Sequence, residues 1–259
     1  VGIDKSTPSA KLHVGGVAGT DGIMFPDSTL QTTAATDIRS LFYEMSNAGS
    51  LALDSSAIAV YVEGDYAYIT TIDGKFNIVD ISDPQSPSLA GSLSLTPYAY
   101  DVQVNGDHAY LTNVGNNRLE IVDVSNPAAP FLAGFLNMGG QPFRLFVKGD
   151  YIYVTLIAPP GKLAILYAPN PIAPAYSGDI TLGTTPFDVV VKGNYAYVVD
   201  GSDNRLDIVD ISNANAPSLE STLTGGRGFG VAIEGNHAYV IDNDADELKV
   251  VDVTSATAP

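Results

Sequence analysis

Apolar and polar residues alternate with period two along most of the chain, and the alternating runs come in pairs. VYVEGDYAYIT (60–70), VQVNGDHAYLT (102–112), LFVKGDYIYVT (145–155), VVVKGNYAYVV (189–199) and VAIEGNHAYVI (231–241) align on Gly64, Gly106, Gly149, Gly193 and Gly235. Those glycines stand 42, 43, 44 and 42 residues apart. Strict alternation predicts strands with one buried face, and the central Gly-Asp or Gly-Asn supplies the positive φ of a tight hairpin. A third run follows in each unit: FNIVDIS (76–82), LEIVDVS (119–125), LAILYAP (163–169), LDIVDIS (206–212) and LKVVDVT (248–254). Polar turns such as NVGNN (113–117) connect the second strand to the third. Loops such as DPQSP and NPAAP end each third strand at Pro87, Pro130, Pro174, Pro217 and Pro259 and lead into a fourth.

Four short antiparallel strands in about 43 residues is one propeller blade. The fold expected is therefore all-β, a β-propeller with blades near 58–95, 100–137, 143–182, 187–224 and 229–259. AGSLAL (48–53) repeats AGSLSL (90–95), which is a fourth strand, but precedes the first complete unit. The last unit ends at Pro259 without its fourth strand. Residues 46–54 are therefore expected to pair with 248–253 and close a five-bladed ring, the alternative being part of a ring of six to eight blades.

The L-x-I-V-D-I-S core, joined to the GNYAYV-type hairpin, resembles the LVIVD repeat family, whose members are β-propellers. The resemblance covers about 46–259; the third copy departs from it, with Tyr167 where the others have Asp80, Asp123, Asp210 and Asp252. Residues 1–35 follow other rules. VGIDKSTPSAKLHVGG (1–16) and DGIMFPDSTLQTTAA (21–35) resemble a stalk motif of bacterial and phage tail-fibre-like surface proteins, with Asp4 and Ser28 departing from it. That resemblance implies an elongated, often trimeric fibre with upstream stalk. It gives two expected regions: a stalk-like β segment with linker at 1–40, and a propeller at 41–259. ATDIRSLFYEM (35–45) reads as linker or one helical turn.

Composition narrows the partners. The chain of 259 residues carries 12 Lys and Arg against 29 Asp and Glu, a net charge of −17. Such a surface repels phosphate backbones, which argues against nucleic acid. No apolar run approaches the ~20 residues of a spanning helix. With no cysteine, disulfides, thiolate nucleophiles and Cys-ligated metals are excluded.

Candidate chemistry is sparse. His108 and His237 replace Tyr66, Tyr151 and Tyr195 at one repeat position, which marks packing rather than catalysis. Asp80, Asp123, Asp210 and Asp252 each precede a turn, where a carboxylate accepts local N–H bonds. No cofactor is expected. The loop DNDADE (242–247) is the stronger of two candidates for Ca²⁺, through Asp242, Asp244 and Asp246, the weaker being Asp200, Asp203 and Asp207; the EF-hand pattern fails, since Glu247 stands where it needs Gly.

The most divergent column lies just before the first strand, which lines a propeller's channel. Ile58, Tyr100, Phe143, Phe187 and Phe229 form an apolar ring, and the next position reads Ala59, Asp101, Arg144, Asp188 and Gly230. Asp101, Arg144 and Asp188, with Tyr98 and Arg227 in the neighbouring connections, make the candidate binding site at the channel mouth. The same cluster also reads as a self-satisfied ion network. The function expected is a non-enzymatic extracellular or surface-fibre module for adhesion, receptor recognition or assembly. Its partners would be a surface receptor, a glycan or other fibre subunits, with a trimer or filament formed through residues 1–40. The alternatives are a structural filament subunit and a carbohydrate-active enzyme using the channel-mouth carboxylates. The enzyme reading requires Asp101 and Asp188 within about 10 Å of each other, with open solvent between them and unsealed by Arg144.

Overall fold

The repeat of the sequence becomes a repeat of antiparallel sheets in the computed structural model, which describes residues 23–24, 30–31, 48–157, 159–225, 228–242, 245–257 and 259. Two short strands, β1 (Ile23–Met24) and β2 (Leu30–Gln31), pair antiparallel. The rest of the stalk-like stretch and the 35–45 linker lie outside the described residues. The chain divides into two compact units, 1–48 and 49–259.

Unit 49–259 holds five consecutive sheets. The first is β3 (Ala57–Glu63), β4 (Tyr66–Thr71), β5 (Lys75–Asp80) and β6 (Ser88–Ser94). The second is β7 (Ala99–Asn105), β8 (His108–Asn113), β9 (Arg118–Asp123) and β10 (Phe131–Asn137). The third is β11 (Pro142–Lys148), β12 (Tyr151–Leu156), β13 (Lys162–Tyr167) and β14 (Ala175–Thr181). The fourth is β15 (Pro186–Lys192), β16 (Tyr195–Asp200), β17 (Arg205–Asp210) and β18 (Ser218–Thr224). The fifth has three strands: β19 (Gly228–Glu234), β20 (His237–Asp242) and β21 (Glu247–Asp252). Among the described residues there is no helix, and none long and apolar enough to cross a membrane.

Local chemistry accounts for the hairpins. Gly64, Gly106, Gly149, Gly193 and Gly235 have φ between 53° and 60°, while the Asp or Asn after each does not have positive φ. Positive φ at the first loop residue alone is the type II′ pattern, whose twist matches the flanking strands. The core lies between successive sheets. Phe76 and Ile78 pack against Val102, Val104 and Leu111; Leu119 and Ile121 pack against Leu145, Ile152 and Val154; Leu163 and Ile165 pack against Val189, Val191 and Val198. Period-two alternation thus feeds two joints per sheet, one on each face.

Among the described residues the expected ring closure is not seen: residues 48–54 carry no strand, and the fifth sheet ends at β21. Residues 46 and 47 of the expected strand lie outside the described residues.

Candidate functional site

The inner strands position the divergent column. In β7, β11 and β15 the ladder slips at Ala99/Asp101, Pro142/Leu145 and Pro186/Asp188. A bulge sets two residues against one and redirects a side chain. In β7 and β15 the residue at the slip is a carboxylate, Asp101 or Asp188, which bonds to the inner strand of the next sheet; the same slip in β3 and β19 carries Ala59 and Gly230.

Asp101 accepts from its own neighbour Val102 N at 3.0 Å and from Leu145 N of the next sheet at 2.9 Å. Asp188 does the same with Val189 N and Val231 N, both at 2.9 Å. Between these two carboxylates comes Arg144. Its Nη1 donates to the Tyr100 carbonyl at 2.8 Å and lies 3.7 Å from Asp101 Oδ1. Burial pushes the Asp101 carboxyl up to about 6, against the Leu145 N–H bond and the Arg144 charge, which both pull it down. Burial likewise raises Asp188, with its Val231 and Val189 bonds and Arg144 opposing. The Arg144 side chain is 32% exposed and that of Asp101 17%, so the Asp101 carboxylate is mostly covered. Asp101, Gln103, Arg144, Asp188 and Phe229 line one open depression of about 530 Å³.

Above the charges runs an aromatic ladder. Ring centroids are 5.2 Å apart for Tyr100–Phe143, 5.5 Å for Phe143–Phe187 and 4.7 Å for Phe187–Phe229. The Arg144 guanidinium lies 5.3 Å from the Phe143 ring centre, within cation–π reach. Two other cavities, beside Tyr195 and Val253 and beside Gln141 and Ile157, contain no carboxylate.

The remaining candidates fall elsewhere. Tyr98 is half-exposed with φ 73° in the connection before β7, and does not line the depression. Arg227 lies outside the described residues, as does Asp244 of the calcium candidate. Asp242 is buried with Lys249 Nζ at 2.5 Å, so a cation already holds that carboxylate, while Asp246 is exposed. Asp200 caps its loop, accepting from Thr185 N, Ser202 N and Asp203 N. Asp207 is buried beside Arg205 and Thr222, which places the 200–207 set in structural pairs.

Gln103 belongs to the site and was not singled out from sequence. Its Oε1 accepts from Val147 N at 2.8 Å and its Nε2 donates to the Leu145 carbonyl at 2.9 Å. The signal was present, since the same column elsewhere holds Tyr61, Phe146, Val190 and Ala232.

Comparison with known proteins fits the fold and changes the functional expectation. No curated protein matches the sequence. The periplasmic gluconolactonase of Pseudomonas aeruginosa superposes with a TM-score of 0.67 at 14% identity, over 76% of this chain and 67% of that one. A putative 6-phosphogluconolactonase from Bacteroides fragilis gives 0.67 at 11%, over 77% and 67%. A chain of a nidogen/laminin complex gives 0.59 at 13%, over 77% of each chain. At such identities the likeness is one of fold, and the sheets are propeller-like. The expectation of a non-enzymatic adhesive or assembly module is corrected here: the solved chains that share the sheet arrangement include a lactonase and putative lactonases. The stalk resemblance of residues 1–35 finds no counterpart among these matches. Residues 54–94, 97–137, 186–224 and 225–259 match the LVIVD repeat, skipping the third unit with its Tyr167, and the chain belongs to the LVIVD repeat family.

Proposed function

We propose that the chain is a hydrolase whose site is the axial depression, acting on a small polyhydroxylated ester of the sugar-lactone class. The observation that carries this reading is the convergence of Asp101, Arg144 and Asp188 on one open depression, with the Asp101 carboxyl pushed up to about 6. A general base works best with a pKa near the working pH. Above pH 6 Asp101 is ionised and takes a proton from the attacking water. The Arg144 guanidinium faces the carbonyl oxygen as charge develops on it. The proton then passes to the departing alkoxide, so the products are a hydroxy acid and no free alcohol fragment. Phe229, the ladder ring that lines the depression, offers a face for the C–H side of a sugar ring, and Gln103 offers an amide for its hydroxyls. The lactone class is taken from the neighbours' names and rests on fold likeness.

The test is ring opening of δ-gluconolactone at pH 7, followed by proton release against the spontaneous rate. The expected result is acceleration by the native chain, lost by about 100-fold or more in Asp101→Asn and retained in Asp123→Asn on the rim. No acceleration over the spontaneous rate across a panel of sugar lactones would sink the proposal, as would full activity in Asp101→Asn.

A further inference from the structure

The connections between successive sheets repeat, so each can be compared with its neighbours. They are anchored alike at both ends. Leu95, Met138 and Leu182 N donate to the Gly74, Asn117 and Gly161 carbonyls, and Val114, Ile157 and Gly201 N donate to the Tyr98, Gln141 and Thr185 carbonyls. Between these anchors, the connection into the fourth sheet is held by carboxylates of that sheet. Asp203 Oδ2 accepts from Thr184 N at 2.9 Å, and Asp200 Oδ2 accepts from Thr185 N at 3.0 Å. The connection into the second sheet solves the same problem otherwise. Pro97, in the place of Thr184, has no N–H, and Tyr98 N donates to the Ile72 carbonyl.

The connection into the third sheet has neither device. The ladder pairs Pro142 with Leu156 as it pairs Pro186 with Asp200, so Leu156 stands in the place of Asp200. In the loop that follows, Pro159 stands where the fourth sheet has Asp203. Gly140 and Gln141 are the counterparts of Thr184 and Thr185. Among the described residues nothing accepts from their N–H groups. Gly139 turns to φ 66°, whereas its counterpart Gly183 does not have positive φ. What remains is an open cavity of about 750 Å³ between the loops of the second and third sheets, with Ile157 and Pro159 as its apolar part.

The polar part of the cavity has an orientation. Arg118 Nε donates to Asn137 Oδ1 at 3.0 Å, which leaves Asn137 Nδ2 as the free end of that amide. Asn116 Nδ2 donates to Glu120 Oε1 at 2.8 Å, which leaves Asn116 Oδ1 as a buried acceptor without a partner among the described residues. A bare buried acceptor is costly, and a hydroxyl satisfies it. We infer that this cavity binds a small hydroxycarboxylate. Its carboxylate takes the Gly140 and Gln141 N–H groups and the Asn137 amide, as the two aspartates do in the fourth sheet, and a hydroxyl serves Asn116. Bonds from N–H groups to an ionised acceptor are the strong ones. The cavity shares no lining residue with the axial depression, so the site does not rest on the hydrolase reading.

The test is calorimetric titration of the full chain at pH 7 with gluconate, acetate and sorbitol. Gluconate is expected to bind. Acetate lacks the hydroxyls and sorbitol lacks the charge, so each should bind at least about tenfold more weakly. Pro159→Asp restores the carboxylate of the fourth sheet at an exposed position, and should weaken gluconate by about tenfold or more through like-charge repulsion. Gly140→Pro deletes one donor, as Pro97 does in the second sheet's connection, and should cost about tenfold, whereas Gly140→Ala keeps the N–H and the affinity. The inference is overturned if gluconate does not bind, if acetate or sorbitol binds as tightly, or if Pro159→Asp leaves gluconate binding unchanged. Binding lost in Arg144→Met but kept in Pro159→Asp would overturn it separately, since gluconate would then occupy the axial depression and the hydrolase reading would stand.

Discussion

Two sets of aspartates divide the molecule, one on the rim and one at the axis. Rim Asp80 and Asp123 each accept from the backbone N–H and the hydroxyl of a serine two residues on, Ser82 and Ser125. Asp252 accepts likewise from Thr254, and Asp210 from Ser212 N. These bonds hold all four carboxyls below their ordinary range. Axial Asp101 and Asp188 also accept two backbone N–H bonds each, yet both are raised. The hydrogen bonding is alike; the solvent is not. Rim carboxylates keep their water, whereas axial ones lose it, and desolvation outweighs the bonds. A hydrogen-bonded carboxylate is thus held low or pushed up according to its exposure.

The largest test of that division is Asp101→Asn beside Asp123→Asn. The axial variant should lose two to four orders of magnitude in lactone turnover while keeping a side-chain oxygen for Leu145 N. The rim variant should keep native turnover. Equal effects in both would erase the distinction. Arg144→Met comes next. Removing the charge that pulls Asp101 down should move the acidic limb of the pH–rate profile above 6, with turnover lower by about 10- to 100-fold. An unmoved midpoint in kcat/KM against pH would show that the guanidinium does not act on that carboxylate.

How much of this was legible beforehand follows the same line. The strands, hairpins and third-strand cores were readable because period-two alternation and Gly-Asp turns are local signals repeated five times. Asp101, Arg144 and Asp188 were readable as a column that breaks the repeat. Gln103 was passed over because it sits in a strand interior, where a single polar residue reads as solvent-facing. The closure through 46–54 was an expectation from sequence phase, and phase sets spacing along the chain without setting which strands pair. The functional expectation was overturned by solved chains of like fold, a likeness carried by the sheet arrangement at 11–14% identity and so not legible in the residues.

A third test uses stability against pH, where the two sets have opposite signs. A carboxyl raised in the fold binds its proton more tightly there than in the unfolded chain. The contribution of Asp101 is therefore full below about pH 4 and is lost as pH rises through about 6. A lowered rim carboxyl contributes above its unfolded pKa and loses that contribution as pH falls through its folded value. Between pH 4 and 6, Asp101→Asn should thus flatten a decline in Tm that the native chain shows. A native profile that climbs across this window, unchanged in the variant, would contradict the raised axial carboxyl.

The smallest effect is at the rim, and it sharpens the comparison most narrowly. Asp123→Ala removes the acceptor for Ser125 N and Ser125 Oγ in an exposed turn, without emptying any core space. The native chain should therefore melt slightly higher than the variant at pH 7. Because the Asp123 carboxyl is held low by those bonds, the advantage should shrink as pH falls from about 3.8, the ordinary value, through the lower value of the folded carboxyl, below which the bonded anion is gone. Scanning calorimetry of both chains at pH 7 and pH 2.5 reads this directly. A gap of the same size at both pH values would assign the turn to the neutral hydroxyl contact rather than to the carboxylate, and the rim and the axis would no longer differ by charge and solvent alone.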